Sequence, residues 1–220
     1  MAHYLSLAMI GEGTTDYQFL PPVLRQATWD MCVHEARGEV EIPMDVLSLE
    51  GDRTQRTFPE RVVAAAKRHQ GAFNLLFIHT DGSGNPDHAY QYVVQPAIQA
   101  LMTDRGSADI RALGVVPVRE MEAWAIADGN AIRAVYGTTL SDEQLGIPDR
   151  TRDVEAIPDP KQKLLEVLEN ALPRRSKRRR PIHLRAIGER VSLTVLRGIP
   201  SFQRFETDLR RVLLDAGLLR

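Results

Sequence analysis

The sequence has little of what a secreted or membrane-bound chain needs. It contains a single cysteine, Cys32, in 220 residues, so an intramolecular disulfide is excluded. Its apolar runs fall well short of the roughly 20 residues that a membrane-spanning helix requires. The first residues form an apolar run with no basic leader ahead of it, which is not typical of a signal peptide. These features predict a cytoplasmic protein that does not bind membranes.

Aromatic residues are also few, at 6%, but a hydrophobic content of 43% is enough for the core of a soluble domain. Charge is distributed unevenly along the chain. Residues 1–150 hold 12 Lys/Arg against 20 Asp/Glu, whereas residues 151–220 hold 16 against 9. An acidic front half with a basic tail half suits a metal-using site joined to a polyanion-binding surface, although segregated solvated charges give the same counts.

Apolar runs alternate with amphipathic segments in the first part of the chain. The runs predict strands at 3–10, 40–49, 73–79 and 110–118. The amphipathic segments predict helices at 58–69, 88–102 and 120–128. Strands separated by helices of this size indicate βαβ units, with all the strand-to-helix loops on one edge. The predicted fold is therefore α/β, with a mainly parallel, Rossmann-like central sheet flanked by helices.

The pattern changes beyond residue 136, where a polar stretch at 137–160 precedes three further predicted helices, at 161–172, 184–197 and 202–219. We interpret residues 1–136 as the α/β body and residues 137–220 as a C-terminal helical extension packed on it. The extension also contains a basic run, composed of Arg174, Arg175, Lys177, Arg178, Arg179 and Arg180. Such a run predicts salt-sensitive, sequence-independent binding of DNA or RNA, although a flexible solvated loop has the same composition.

Acidic residues follow three of the four predicted strands. Glu12 stands between two glycines after the first strand, Asp81 follows the third, and Glu122 begins the helix after the fourth. Because ligands of open α/β sheets bind outside the carboxyl ends of the strands, we expect these carboxylates to converge there. A converging set of oxygens suits Mg²⁺ or Mn²⁺, with Asp87 and Asp128 as further candidate ligands.

Each of these residues, taken alone, also has a plain structural interpretation. Glu12 can be an exposed turn carboxylate, and Asp81 with the glycine after it can simply form a turn. Glu122 can be a favourable charge at a helix N-terminus. His79, which ends the third strand, can be catalytic or can be a buried, hydrogen-bonded histidine. The residues after the Gly-Glu-Gly turn do not complete a dinucleotide fingerprint or a Walker loop.

Taken in order, three segments resemble a Toprim-like family of small bacterial proteins: GEGTTD, FIHTDGSG and PVREMEAWAIAD. The tail is similar to that family as well, at an Asp-Pro-Lys helix start and at Ile-Pro-Ser-Phe before the last helix. The resemblance covers most of the chain. It implies the Toprim fold, a metal-binding domain shared by topoisomerases, primases and overcoming-lysogenisation-type nucleases.

The resemblance also implies residue roles. Glu12 would act as general acid or base and as a metal ligand, and Asp81 would hold Mg²⁺. The second metal position of the family falls on Ser83, so Asp87, Glu122 or Asp128 would have to supply the missing charge. The implied activity is Mg²⁺-dependent cleavage of nucleic acid, in a context often associated with phage defence.

Two other functions stay open at this point. Ser83 favours a non-catalytic, degenerate Toprim-like subunit that binds nucleic acid or a partner ATPase. A small-molecule phosphohydrolase or nucleotide-binding protein is the third possibility, and for that function the basic run would be unnecessary. The sequence does not distinguish DNA from RNA as the substrate, or a monomer from a homodimer.

Overall fold

The computed structural model describes residues 3–51, 57–107, 109–172 and 182–220. Within them, a four-stranded sheet has every strand parallel to its neighbours. Its strands in chain order are β2 (Leu7–Ile10), β4 (Leu47–Leu49), β5 (Leu75–His79) and β6 (Arg111–Val115). A short parallel pair, β1 (His3–Tyr4) and β3 (Val40–Glu41), precedes β2 and β4. The predicted parallel α/β sheet is confirmed.

Two of the predicted strands are each divided in two. The run at 3–10 becomes β1 and β2, because the chain changes its pairing partners after Leu5 donates its N–H to Glu41. The run at 40–49 becomes β3 and β4, and Pro43 lies between them without an N–H to donate to a neighbouring strand. The last strand ends at Val115, three residues before its predicted end.

Helices occupy most of the remaining described chain. They are α1 (Asp16–Glu35), α2 (Phe58–Arg68), α3 (Pro86–Ala89), α4 (Gln95–Thr103), α5 (Glu122–Ile126), α6 (Gly129–Tyr136), α7 (Asp142–Leu145), α8 (Pro160–Ala171), α9 (Leu184–Gly188), α10 (Leu193–Leu196) and α11 (Pro200–Asp215). A π-helical segment, Tyr90–Val94, joins α3 to α4, and a 3₁₀ segment, Thr151–Ala156, precedes α8. In the described part of the chain, no helix is both long enough and apolar enough to cross a membrane.

Alternate residues of each strand face opposite helical layers, as the period of two in a strand requires. Leu7 and Met9 of β2 pack in the core formed with α1 and the C-terminal helices. Ala8 and Ile10 pack in the core formed with α2 and α4. Helices therefore cover both faces of the sheet, and the C-terminal helices share a core with it.

The larger of these two cores joins the strands to α11. Trp124 of α5 is fully buried there, edge-on to Phe202, and its Nε1 donates to Oγ of Ser201 at 2.9 Å. Cys32 of α1 lies in the same core, and burial raises the pKa of its thiol to about 11. The segment around Trp124 is thus held by packing, and this fixes the position of the acidic residues just before it.

The order of the strands across the sheet is β4-β2-β5-β6. The chain runs outward from β2 to β4 and then returns to place β5 on the other side of β2. Such a reversal opens a crevice outside the carboxyl ends of the two central strands, where ligands of open α/β sheets bind. Glu12 and Asp81 follow these two strands.

Candidate functional site

The loops that follow β2 and β5 are joined at the switch point of the sheet. Thr80 is buried and donates its hydroxyl to Oε1 of the exposed Glu12 at 2.7 Å. Asp81 follows Thr80 directly. The two residues predicted to be catalytic therefore lie on the same edge of the sheet.

A further carboxylate, Asp16, reaches the same place from the first turn of α1. Its Oδ2 accepts a hydrogen bond from the N–H of Gly13 at 2.7 Å, which closes the turn after β2. The same oxygen lies 3.6 Å from Nε2 of His79. Asp16 is almost completely buried, so the fold rather than solvent sets its position.

His79 is fully buried at the end of β5. Its Nδ1 lies 2.9 Å from the carbonyl oxygen of Val115, and because a carbonyl only accepts, Nδ1 carries the hydrogen. Its Nε2 lies 3.6 Å from Oδ2 of Asp16 and 3.6 Å from Oδ1 of Asp81. Burial lowers the pKa of His79, and the charge of Asp16 opposes that effect only in part. The ring is therefore neutral, with a lone pair on Nε2.

The loop after β5 is fastened to the loop after β6. Gly82 donates its N–H to the carbonyl of Pro117 at 3.1 Å, and Gly84 donates to the carbonyl of Val118 at 2.7 Å. The backbones approach so closely that a Cβ at position 82 would lie 2.3 Å from the oxygen of Pro117. This contact brings the acidic start of α5 beside Asp81.

Glu120 and Glu122 come from that segment. Glu122 is buried, and burial raises its pKa, with the charge of Glu120 acting in the same direction. Glu120 accepts a hydrogen bond from the N–H of Lys161, at the start of α8, at 3.1 Å. We refer to the acidic residues gathered at this edge as the carboxylate cluster: Glu12, Asp16, Asp81, Glu120 and Glu122.

The charge of the cluster acts on Asp81. Burial raises the pKa of Asp81 to about 7, and the other four members of the cluster act in the same direction. Its Oδ1 is buried and has no hydrogen-bond partner among the described residues. The side chain as a whole is 40% exposed, so solvent reaches it from one side. Crowded negative charge of this kind is relieved by a proton or by a cation.

The carboxylate oxygens of the cluster suit a divalent cation that takes few ligands from the protein and the others from water or substrate. Within the described residues, no three His, Cys, Asp or Glu side chains are placed to hold one metal ion together. Mg²⁺, however, is usually held by only one or two protein carboxylates, with water and substrate phosphates as its other ligands. The oxygens of the cluster match that mode of binding and do not match a closed protein cage.

Two residues predicted as further metal ligands have other partners. Asp87 is exposed on α3 and forms an ion pair with Arg204 of α11. Asp128 is buried at the start of α6, where Oδ1 accepts from two N–H groups of the first turn and Oδ2 accepts from the N–H of Ser192. Neither residue is among the carboxylates whose charge acts on Asp81. The structure therefore does not bring them into the cluster.

Asp16 and Glu120 join the cluster although the sequence patterns did not single them out. A signal was present for Asp16, which follows Glu12 by four residues and can return to the same strand end in the first turn of a helix. Ser83, at the second metal position that the resemblance implies, is exposed and has a left-handed φ of 48°.

Cationic groups border the cluster. The guanidinium of Arg119 lies next to Gly84, and the charge of Lys161 lowers the pKa of Glu122, against the larger effect of burial. The basic run at 174–180 lies outside the described residues.

Comparison with known proteins identifies a family and no activity. The model of a family described as a domain of unknown function, DUF4276, matches residues 11–210. The match includes the whole carboxylate cluster and nearly all of the C-terminal helices. A search of curated proteins and a search of solved structures each gave no match.

Proposed function

Because the chain belongs to the DUF4276 family, whose description names no activity, we propose a function from the site itself: metal-dependent hydrolysis of phosphodiester bonds in nucleic acid, of the Toprim type. The observation that carries the proposal is the gathering of five carboxylates at the switch point of a parallel sheet, where the other four all raise the pKa of Asp81. Phosphoryl chemistry on a polyanion needs a site of this kind to hold divalent metal.

In this proposal Asp81 would hold Mg²⁺ or Mn²⁺ and would leave positions on the ion for water and a phosphate of the substrate. When bound, the ion would polarise the scissile phosphate and make the attacking water more acidic. Glu12 is exposed beside Asp81, and its hydrogen bond from Thr80 keeps it oriented towards the crevice edge. Glu12 is thus positioned to accept the proton of that water.

Nucleic acid is the proposed substrate because two cationic side chains border the carboxylate cluster. Arg119 lies next to Gly84, and the charge of Lys161 acts on Glu122, so both would contact phosphates of the substrate. The basic run at 174–180 would add further, sequence-independent contacts to the backbone. A cytoplasmic role in phage defence is part of the same proposal.

A second candidate function is a non-catalytic subunit that binds nucleic acid or a partner ATPase. The observation that favours it is Ser83, a neutral side chain where the Toprim pattern has a metal-binding aspartate. Asp16 weakens this alternative, because it supplies a second aspartate at the same strand ends.

The test is cleavage by the purified chain. Supercoiled plasmid and structured RNA are incubated with Mg²⁺ or Mn²⁺, and with EDTA as the metal-free control. We expect cleavage that requires metal, that Asp81→Asn abolishes by preventing metal binding, and that Glu12→Gln abolishes with metal binding largely retained. Asp109→Asn, an exposed carboxylate before β6 on the opposite edge of the sheet, is the matched control and should cleave normally.

Two outcomes would reject the enzyme in favour of the binding subunit. One is the lack of any metal-dependent cleavage by the wild-type chain, alone or with a candidate partner. The other is a cellular effect of the protein that Asp81→Asn leaves intact.

A further inference from the structure

Two buried ligand atoms face each other at the floor of the carboxylate cluster. Nε2 of His79 and Oδ1 of Asp81 are 3.6 Å apart, and each lacks a hydrogen-bond partner among the described residues. The distance is too long for a hydrogen bond between them. Buried polar atoms normally have partners, and two adjacent orphans indicate that something else binds between them.

The orientation of the imidazole is that of a metal ligand. Nδ1–H donates to the carbonyl of Val115, which fixes the tautomer and directs the lone pair of Nε2 towards the cluster. Metal-binding histidines in proteins are held in the same way, through a hydrogen bond from the nitrogen that does not bind the metal. His79 is fully buried on a strand whose residues are all buried, so its ring has little freedom to turn away.

The spacing and the access also suit an ion. Ligand atoms around a first-row divalent cation, with bonds of about 2.1 Å, lie roughly 3–3.5 Å apart. The 3.6 Å between Nε2 and Oδ1 is close to that spacing, and Oδ2 of Asp16 is equally far from Nε2. The partly exposed side chain of Asp81 gives the path by which an ion would enter.

We propose that Nε2 of His79 and Oδ1 of Asp81 bind one divalent transition-metal ion, with Asp16 beside it, and that the site selects Mn²⁺ over Mg²⁺. The inference rests on the proposed metal-dependent function and adds a nitrogen ligand to it. Imidazole is a softer donor than a carboxylate and binds first-row transition metals in preference to Mg²⁺. Two protein ligands leave room for water and a substrate phosphate, as the reaction needs.

The experiment is electron spin echo spectroscopy of Mn²⁺ bound to the tag-free chain, grown with ordinary or ¹⁵N-labelled histidine. The chain has six histidines, so a nitrogen signal that changes with the label comes from one of them, and a variant identifies which. His79→Gln places an amide near the position of Nε2, and His34→Gln, on an exposed residue of α1, is the matched control. Metal affinities are measured in parallel by titration with Mn²⁺ and with Mg²⁺.

We expect a histidine-nitrogen coupling in the wild type and in His34→Gln that disappears in His79→Gln. We also expect His79→Gln to weaken Mn²⁺ binding about tenfold or more, and wild-type Mg²⁺ binding to be at least about tenfold weaker than Mn²⁺ binding. If His79→Gln does not fold, the other five histidines are replaced together by glutamine instead: a coupling that persists there supports His79 as the ligand, and its loss overturns it.

The nitrogen ligand and the proposed metal-dependent function would be rejected by different results. Mn²⁺ that binds without any histidine coupling would overturn the nitrogen ligand and leave a carboxylate metal site intact. A chain that binds neither Mn²⁺ nor Mg²⁺ would overturn both.

Discussion

Asp81 behaves unlike a free carboxyl group because burial and its acidic neighbours act on it in the same direction. Its pKa is about 7 in the folded protein, against about 3.9 for an aspartate in an unfolded chain. Over the interval between these values, the folded protein holds a proton that the unfolded chain releases. The stability that protonated Asp81 provides is therefore complete below about pH 4 and is lost as the pH rises through about 7.

Asp81→Asn should remove this dependence, because an amide stays neutral at every pH. We expect the variant, free of metal, to melt several degrees above the wild type near pH 8, and the two to converge towards pH 4. The measurement is thermal unfolding by circular dichroism in EDTA across that range. A difference in melting temperature that did not change with pH would contradict the raised pKa.

Glu12 and Asp81 were predictable from the sequence because each stands two residues after the end of a strand. Glu122 was found at the start of the helix after the last strand, whereas Glu120, which is nearer to that strand, was not singled out. Asp16 was missed because its place depends on how the first turn of α1 folds back over β2, which is a tertiary contact. Asp128 was a candidate ligand because the resemblance needs a charge in place of Ser83, whereas in the structure it caps the helix that begins at Gly129.

At the level of elements, the cluster depends on the contact between the loops after β5 and β6. Gly82→Ala should disturb that contact, because the added Cβ meets two backbone oxygens, those of Pro117 at 2.3 Å and Val118 at 2.6 Å. We expect a decrease of about 1–3 kcal/mol in the free energy of unfolding, together with weaker metal binding as Asp81 moves away from α5. Urea denaturation and Mn²⁺ titration measure the two effects.

Gly38→Ala is the control for this change, since among the described residues no atom beyond Gly38 and its two chain neighbours lies within 4 Å of the added Cβ. It should leave both quantities unchanged. If Gly82→Ala bound metal normally and were fully stable, the two loops would not need their close contact to form the site.

Asp128 caps the start of α6, and replacing it tests whether it also binds metal. Asp128→Asn retains one oxygen for the N–H groups of the first turn, but its amide nitrogen then faces the N–H of Ser192. We expect a decrease of about 1–3 kcal/mol in stability with no change in Mn²⁺ affinity. Asp149→Asn, at an exposed position, should change neither quantity. A large fall in metal affinity at normal stability would restore Asp128 as a ligand.

Helices and strands were predictable from the sequence because the spacing of apolar residues indicates which faces of an element are buried. The continuous apolar run of β5 follows from burial on both faces of the sheet, and the run of β2 has the same cause. Boundaries were less predictable. Where one strand gives way to another at Leu5, the cause is a pairing partner far away in the sequence.

In the whole molecule, the proposed function needs both the carboxylate cluster, for metal, and the basic run at 174–180, for the nucleic-acid backbone. Replacing Arg178, Arg179 and Arg180 with alanine should weaken binding to nucleic acids of any sequence. The slope of log affinity against log salt should flatten by up to about one unit for each phosphate that the variant no longer neutralises. Fluorescence anisotropy titrations over a range of salt concentrations measure this slope.

Replacement of three exposed arginines elsewhere, Arg105, Arg150 and Arg152, removes the same charge and serves as the control. Its salt slope should stay close to that of the wild type. If both triple variants changed the slope equally, net charge rather than the basic run would account for binding.

Cys32 can report local unfolding of α1, because reagents reach its buried thiol only when the helix opens. Only a thiolate attacks disulfide reagents, and the pKa of about 11 together with burial keeps this thiol unreactive in the closed fold. Modification must then wait until α1 separates from the layer it packs against. The rate of thiol labelling in the wild-type chain therefore measures how often the C-terminal part of α1, where Cys32 lies, separates from the core.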